Sequence, residues 1–327
     1  MPAPVTYALP LRTRFRGITE RQGMVWRGDA GWAEWSPFLD YDGDELVPWW
    51  RAAVEAADEG WPDPVRTEVA VNSTIPAVAP EAAHRLAVAA GCGTAKVKVA
   101  EPGQRLADDL DRVEAVRDAL GPAGRVRVDA NGAWTLDEAE RAVRALAPFG
   151  LEYVEQPCRS VEELADLRRR LAHAGVDVLI AADESIRRAE DPYRVRALAA
   201  AYVAVLKVQP LGGVRACLEG AERIGLPVVV SSALETSVGI RAGVALAAAL
   251  PELPFACGLN TVRLLADDLV TTPLVAVAGV LPVAPLEVDA DALAARAAPE
   301  EVAAFWQARL VQTRERAAAQ PPGTDRG

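Results

Sequence analysis

Eight short β-rich runs recur about every 25–30 residues through the middle of this 327-residue chain. They are Thr67–Ile75, Ala95–Ala100, Arg125–Ala130, Tyr153–Gln156, Val178–Ala182, Val203–Val208, Pro227–Ser232 and Phe255–Leu259. Stretches rich in Ala, Leu, Arg and Glu, long enough for helices, separate most of them. Strands that alternate with helices at this spacing pair in parallel, and the sheet either closes into a β/α barrel or stays open and doubly wound. No GxGxxG follows the first strands, which disfavours the nucleotide-binding version of the open sheet. The barrel is therefore the predicted core of an α/β fold.

The flanks follow another pattern. Residues 1–66 hold strand-like pieces at Val5–Leu9, Met24–Arg27 and Trp32–Ser36, then a helix over Leu46–Glu59 stopped by Gly60 and a WPDP turn. Residues 266–318 read as short strands and then a helix from Ala290, returning to the N-terminal region. The barrel is assigned to 67–265, and 319–327 to a disordered tail.

Composition narrows the function. A net charge of −11 gives a nucleic acid or anionic membrane no basic face. No apolar run is long enough for a membrane span or a signal peptide, so a cytoplasmic protein is expected. The four cysteines show no CxxC spacing and read as buried thiols. Neither His84 nor His173 lies in a catalytic pattern, so acid–base chemistry must use other side chains. Oligomeric state is not legible.

Lysine is scarce: the chain has 32 arginines and only Lys96, Lys98 and Lys207. Arginine serves wherever a solvated charge suffices, yet all three lysines stand in apolar strand runs. Lysine can lose its proton near neutral pH when buried or crowded, and arginine cannot. Lys96 and Lys98 share one strand face, and Lys98 ends its run. RVRVDANG, YVEQP and LIAADES bring Asp129, Glu155 and Asp183 to the C-terminal ends of three successive strands, and Lys207 ends the next. That rim is where a β/α barrel carries its chemistry. Three carboxylates at one level on neighbouring strands repel unless a cation joins them, and hard oxygen donors suit Mg2+ or Mn2+. With lysines on both sides, the set is equipped to remove a proton α to a substrate carboxylate.

The KVK pair, DANG, VEQP, ADES and LKVQPLGG, in this order and spacing, resemble the enolase superfamily. The two lysines on one strand opposite the lysine of a later strand resemble its muconate-lactonizing branch. GWAEWSPF, the Arg127–Asp129 pair and SSALETSVG resemble the o-succinylbenzoate synthases within it. The resemblance implies a modified (βα)7β TIM-like barrel under an α+β capping domain built from both chain ends. It implies Asp129, Glu155 and Asp183 as Mg2+ ligands, with Glu184 beside them. Lys98 would be the base, with Lys96 tuning it and Lys207 stabilising an enediolate from the other face. Arg127 and Asn131 would support the metal and substrate. Ser231, Ser232 and the backbone at Gly258 would receive a succinyl carboxylate, and the loop around Phe15–Met24 would close the site. The segment VAGVLPVAPLEVD only weakly matches the family's glycine-rich ending.

The implied reaction is a Mg-dependent dehydration of a succinyl-substituted hydroxycyclohexadiene carboxylate to 2-succinylbenzoate, a step of menaquinone biosynthesis. Lysines on both faces also suit racemisation of N-acylamino acids. A dipeptide epimerase would show Asp-x-Asp where this chain has CGLNT. A Schiff-base aldolase using Lys207 would leave three carboxylates without a task, and a non-catalytic barrel would not need the lysines at all.

Overall fold

The computed structural model describes residues 3–188 and 192–320. The expected tail from 321 onward lies outside the described residues. Seven strands form one parallel sheet: β5 (Ser73–Ile75), β6 (Thr94–Lys98), β7 (Arg125–Asp129), β8 (Leu151–Glu155), β9 (Leu179–Ala182), β10 (Val203–Leu206) and β11 (Val228–Val230), neighbouring one another in sequence order. Helices cover the outside, and the Val, Ile, Leu and Ala of strands and helices form one continuous core. Burial on both faces explains why these strands read as unbroken apolar runs rather than alternating ones.

The eighth predicted strand does not form as a strand. Residues 255–259 close the barrel through two isolated parallel bridges, Val71 to Cys257 and Ser231 to Gly258. The glycine is required there: a Cβ on Gly258 would lie 2.6 Å from Ser231 Oγ. The first predicted run splits in two, because Glu68–Ala70 (β4) leaves the barrel to pair antiparallel with Val280–Pro282 (β12). That pair is what the weakly matched VAGVLPVAPLEVD segment builds.

The cap is a three-stranded antiparallel sheet of β1 (Val5–Phe15), β2 (Ile18–Arg27) and β3 (Trp32–Trp35). Its hairpin is longer than the sequence suggested. Phe15 pairs with Ile18, and the two turn residues, Arg16 and Gly17, both have positive φ, the requirement of a primed hairpin turn. The helix Leu46–Val54 runs into a wider turn at Glu55–Glu59 before Gly60. The C-terminal helix forms in two pieces, Ala290–Ala295 and Glu300–Ala319, because Pro299 restarts it. The second piece packs on the cap, with Trp306 edge-on to Trp35 at 5.5 Å. Arg309 donates to the carbonyls of Pro37, Phe38 and Tyr41, fixing the loop that carries Phe38. All four cysteines are buried free thiols. Among the described residues no helix is long and apolar enough to cross a membrane.

Candidate active site

Register places the polar side chains. Lys96 is level with Arg127 and Lys98 with Asp129, and Asp129 is level with Glu155 on the next strand. Alternation along β6 and β7 sends Lys96 and Lys98, and Arg127 and Asp129, to the same face, inside the barrel. Glu155, however, is level with Ala181, so Asp183 stands two residues further along. The expectation of three carboxylates at one level is corrected in this respect. Barrel strands are staggered, and the same inward face recurs every second residue.

Lys96 Nζ sits between Asp129 Oδ2 at 2.9 Å and Glu155 Oε1 at 2.6 Å. Lys98 Nζ donates to Asp129 Oδ2 at 2.5 Å and to Asn131 Oδ1 at 2.7 Å. Across the mouth, Lys207 Nζ donates to Asp183 Oδ2 at 2.5 Å, and Arg187 Nε holds Oδ1 of the same group at 2.9 Å. Asn131 ties the two sides together through Glu184 Oε1 at 3.1 Å, and Arg187 also bonds Glu184. Two residues just beyond β7 and β8, Asn131 and Gln156, are held at positive φ. The Gln156 amide oxygen accepts from the backbone N–H groups of Asp183 and Ser185, fixing the turn that presents Asp183.

The electrostatics follow from burial. Desolvation presses the Lys96 ammonium down, but Asp129 and Glu155 outweigh it and hold Lys96 well above its ordinary value. Lys98 is pulled below its ordinary value, first by burial and then by the Lys96 charge, against the attraction of Asp129. Burial and the neighbouring Asp129 push Glu155 up to about 7. Burial also acts against the carboxylates of Asp129 and Asp183, yet their cationic neighbours hold both below the usual range.

In kind, these donors fit a divalent cation: three buried carboxylates, one of them still short of positive charge. In placement, ammonium groups stand where an ion would join them. Among the described residues no group of three or more His, Cys, Asp or Glu is gathered to hold a metal. An ion would have to compete with Lys96 and Lys98 for Asp129, with Lys96 for Glu155, and with Lys207 and Arg187 for Asp183.

The small cavity above these groups is lined by Phe15, Arg16 and Phe38 from the cap, and by Thr74, Lys96, Lys98, Asn131, Lys207, Ser231–Leu234 and Thr261 from the barrel. Ser231 and Ser232 line it, and Ser232 shares a hydrogen bond with Thr261. Gly258 does not contribute a free amide. Its N–H bonds Val230 O and its carbonyl accepts from Ser232, both spent on closing the barrel. Arg127 is also not at the rim. It lies one layer below Asp129, fully buried, ion-paired with Glu152 at 2.5 Å and stacked on Tyr153. Several contributors were not singled out in the sequence reading, among them Thr74, Arg187, Phe38 and Leu234. Thr74 was accessible through alternation, since it is level with Lys96, and Arg187 through its four-residue spacing from Asp183. Phe38 and Leu234 lie within the quoted GWAEWSPF and SSALETSVG motifs, but no periodicity or spacing singled them out there.

Comparison with known proteins identifies the family. The description "Enolase C-terminal domain-like" matches residues 79–287, and "Enolase N-terminal domain-like" matches residues 6–57. An o-succinylbenzoate synthase of Thermobifida fusca is 63% identical over 94% of this chain and 95% of that protein. One from Mycolicibacterium smegmatis is 53% identical over 93% of this chain and 92% of its own. Among solved structures, the muconate lactonizing enzyme of Pseudomonas fluorescens superposes with a TM-score of 0.76 at 21% identity, covering 90% of this chain and 98% of that one. The chain belongs to the enolase superfamily, in its muconate-lactonizing branch, among the o-succinylbenzoate synthases.

Proposed function

We propose that the chain dehydrates 2-succinyl-6-hydroxy-2,4-cyclohexadiene-1-carboxylate to 2-succinylbenzoate, acting in the cytoplasm on a small dicarboxylate. The observation that carries this reading is the pair of lysines, Lys98 and Lys207, on opposite sides of one cavity above buried carboxylates. Residues 1–66 and 266–318 act as one cap over the barrel of 67–265.

Enzymes of this superfamily generally use a divalent metal. Here we take it to be Mg2+, held by Asp129, Glu155 and Asp183, with Glu184 and Asn131 supporting them. Bound there, it supplies Lewis-acid polarisation of the ring carboxylate. The chain's own groups do the proton work. Lys98, whose ammonium is disfavoured by burial and by Lys96, is the base that takes the proton from the carbon bearing the carboxylate. The electron pair moves into the carboxylate as an enediolate, and the Lys207 ammonium on the other face stabilises the developing charge. The pair then returns to form the ring double bond as the adjacent C–O bond breaks. Lys98, now an ammonium, gives its proton to the departing hydroxyl, and water leaves. Aromatisation makes the step downhill. Ser231 and Ser232 receive the succinyl carboxylate.

An ultraviolet assay of diene loss with the purified protein and Mg2+, run beside N-succinyl-phenylglycine, tests the reading. Rapid loss that EDTA abolishes supports it. Silence on the diene, with racemisation of the amino acid derivative, would replace it.

A further inference from the structure

GWAEWSPF and the part of SSALETSVG that follows its two serines meet in one buried network between cap and barrel. The Glu34 carboxylate accepts from the hydroxyls of Tyr7 and Ser36, each at 2.7 Å, and from Thr236 Oγ1 at 2.5 Å. It also accepts from the backbone N–H groups of Thr236 at 3.1 Å and Gly239 at 3.0 Å, at the first turn of the helix Ser237–Ala249. A few ångströms away, the buried Arg21 of β2 donates from Nε to Leu234 O at 3.0 Å. Its Nη2 donates to Ala233 O at 3.2 Å, to Ser36 Oγ at 3.0 Å and to Ser36 O. The same guanidinium lies 4.5 Å from the centre of the Phe38 ring. Arg21 thus touches both walls of the active-site cavity.

Between these anchors Leu234 has φ +64°. A leucine rarely occupies that left-handed region, and such an outlier persists only where its surroundings over-determine it. Here they do. Both carbonyls of the Ala233–Leu234 pair are held by Arg21, Ala233 N donates to Glu235 Oε2, and Leu234 N reaches Ser232 Oγ. The strained residue lines the cavity beside Phe15 and Phe38, facing the lysines and serines. An apolar wall of two phenyl rings and a leucine suits a flat hydrocarbon ring.

We propose that Arg21 is a positioning residue that clamps the 231–236 loop, and that Leu234, held strained by it, is a specificity-determining contact for the substrate ring. This rests on the function proposed above. Without the clamp, Leu234 relaxes to negative φ, the peptide planes on either side turn, and both the apolar wall and Ser232 shift.

A mere cap-to-barrel fastener would make the same bonds, so the test must separate the two. Glycine adopts φ +64° without strain. Arg21→Gln, Leu234→Gly and the double variant are therefore compared by diene kinetics and by hydrogen exchange of the 231–236 amides. We expect Arg21→Gln to raise KM about tenfold with kcat changed by less than about threefold, and to speed exchange in that loop about tenfold while β6–β8 hold. Leu234→Gly raises KM, because the apolar contact to the ring is gone. In the glycine background Arg21→Gln multiplies KM by less than about threefold, since no strain is left to release. Equal multipliers in both backgrounds would reduce Arg21 to a fastener and overturn the proposal, as would unchanged exchange. If Arg21→Gln does not fold, Arg21→Lys, which retains one donor group, carries the same cycle at smaller size. Wild-type silence on the diene would remove the substrate reading alone, and the exchange measurement would still decide the clamp.

Discussion

Lys98 and Asp129 face each other from adjacent strands at one register position, with the ammonium 2.5 Å from Oδ2. The base candidate is thus held by a carboxylate expected to serve a metal. When a cation takes Asp129, Lys98 loses its strongest partner while keeping Lys96 beside it, so its proton is held less tightly. Lys98→Ala is expected to lower kcat by about a thousandfold or more, the range for removing a positioned general base. Circular dichroism should stay that of the wild type, and the site should still bind the metal at least as tightly, since one competitor for Asp129 is gone. Turnover at the wild-type rate in this variant would sink the mechanism.

Asp183 carries a second expectation. It is bound on one oxygen by Lys207 and on the other by Arg187, so in the metal-free chain its charge is already matched. Asp183→Asn removes that charge without changing the side chain's shape. Mg2+ affinity measured by calorimetry should fall at least about tenfold, as perturbed metal sites do. Unchanged affinity would remove Asp183 from the ligand set.

How much of this was visible in the sequence depends on which physical signal each element carries. Lys96 and Lys98 were placed by alternation alone, because their strand is regular and buried on both faces. The level of Asp183 was not, because stagger between barrel strands is a property of closure and leaves no mark in any one strand. The hairpin β1–β2 was cut short in the reading because Arg12, Arg14 and Glu20 dilute its apolar alternation and Pro10 interrupts it. The strain at Leu234 could not be read at all, since leucine is among the residues that ordinarily argue against a positive φ.

Arg127 shows the same limit from the other side. The family resemblance implied a role beside the metal and substrate, but two residues along a strand is one layer deeper in the barrel. Its guanidinium pairs with Glu152 at 2.5 Å, donates to Ala256 O at 2.6 Å and stacks on Tyr153. Arg127→Met leaves the half-buried Glu152 with only Arg125 opposite, at 2.9 Å. We expect a loss of about 3 kcal/mol in urea unfolding, the low end for breaking a buried ion pair. KM of the folded fraction should hardly move. A raised KM with unchanged stability would return Arg127 to the substrate.

Glu235 supplies the pH dependence. Burial, reinforced by Glu34, pushes its carboxyl up to about 7, against the attraction of Arg21. The ordinary value is 4.5, so the folded pKa is the raised one. Between those two values the folded chain keeps a proton that the unfolded chain gives up. Stability therefore falls as pH rises through this window and levels off above it, by roughly 3 kcal/mol for this group alone. Glu34 is raised in the same direction and Glu155 reaches about 7 in the metal-free chain, so part of the slope belongs to them. Glu235→Gln keeps an acceptor for Ala233 N–H and removes the titration. Urea midpoints taken without metal at pH 5 and pH 8 should differ less in this variant than in the wild type, chiefly because the variant is more stable at pH 8. An equal difference in both proteins would mean that Glu235 ionises in the folded state as it does in water.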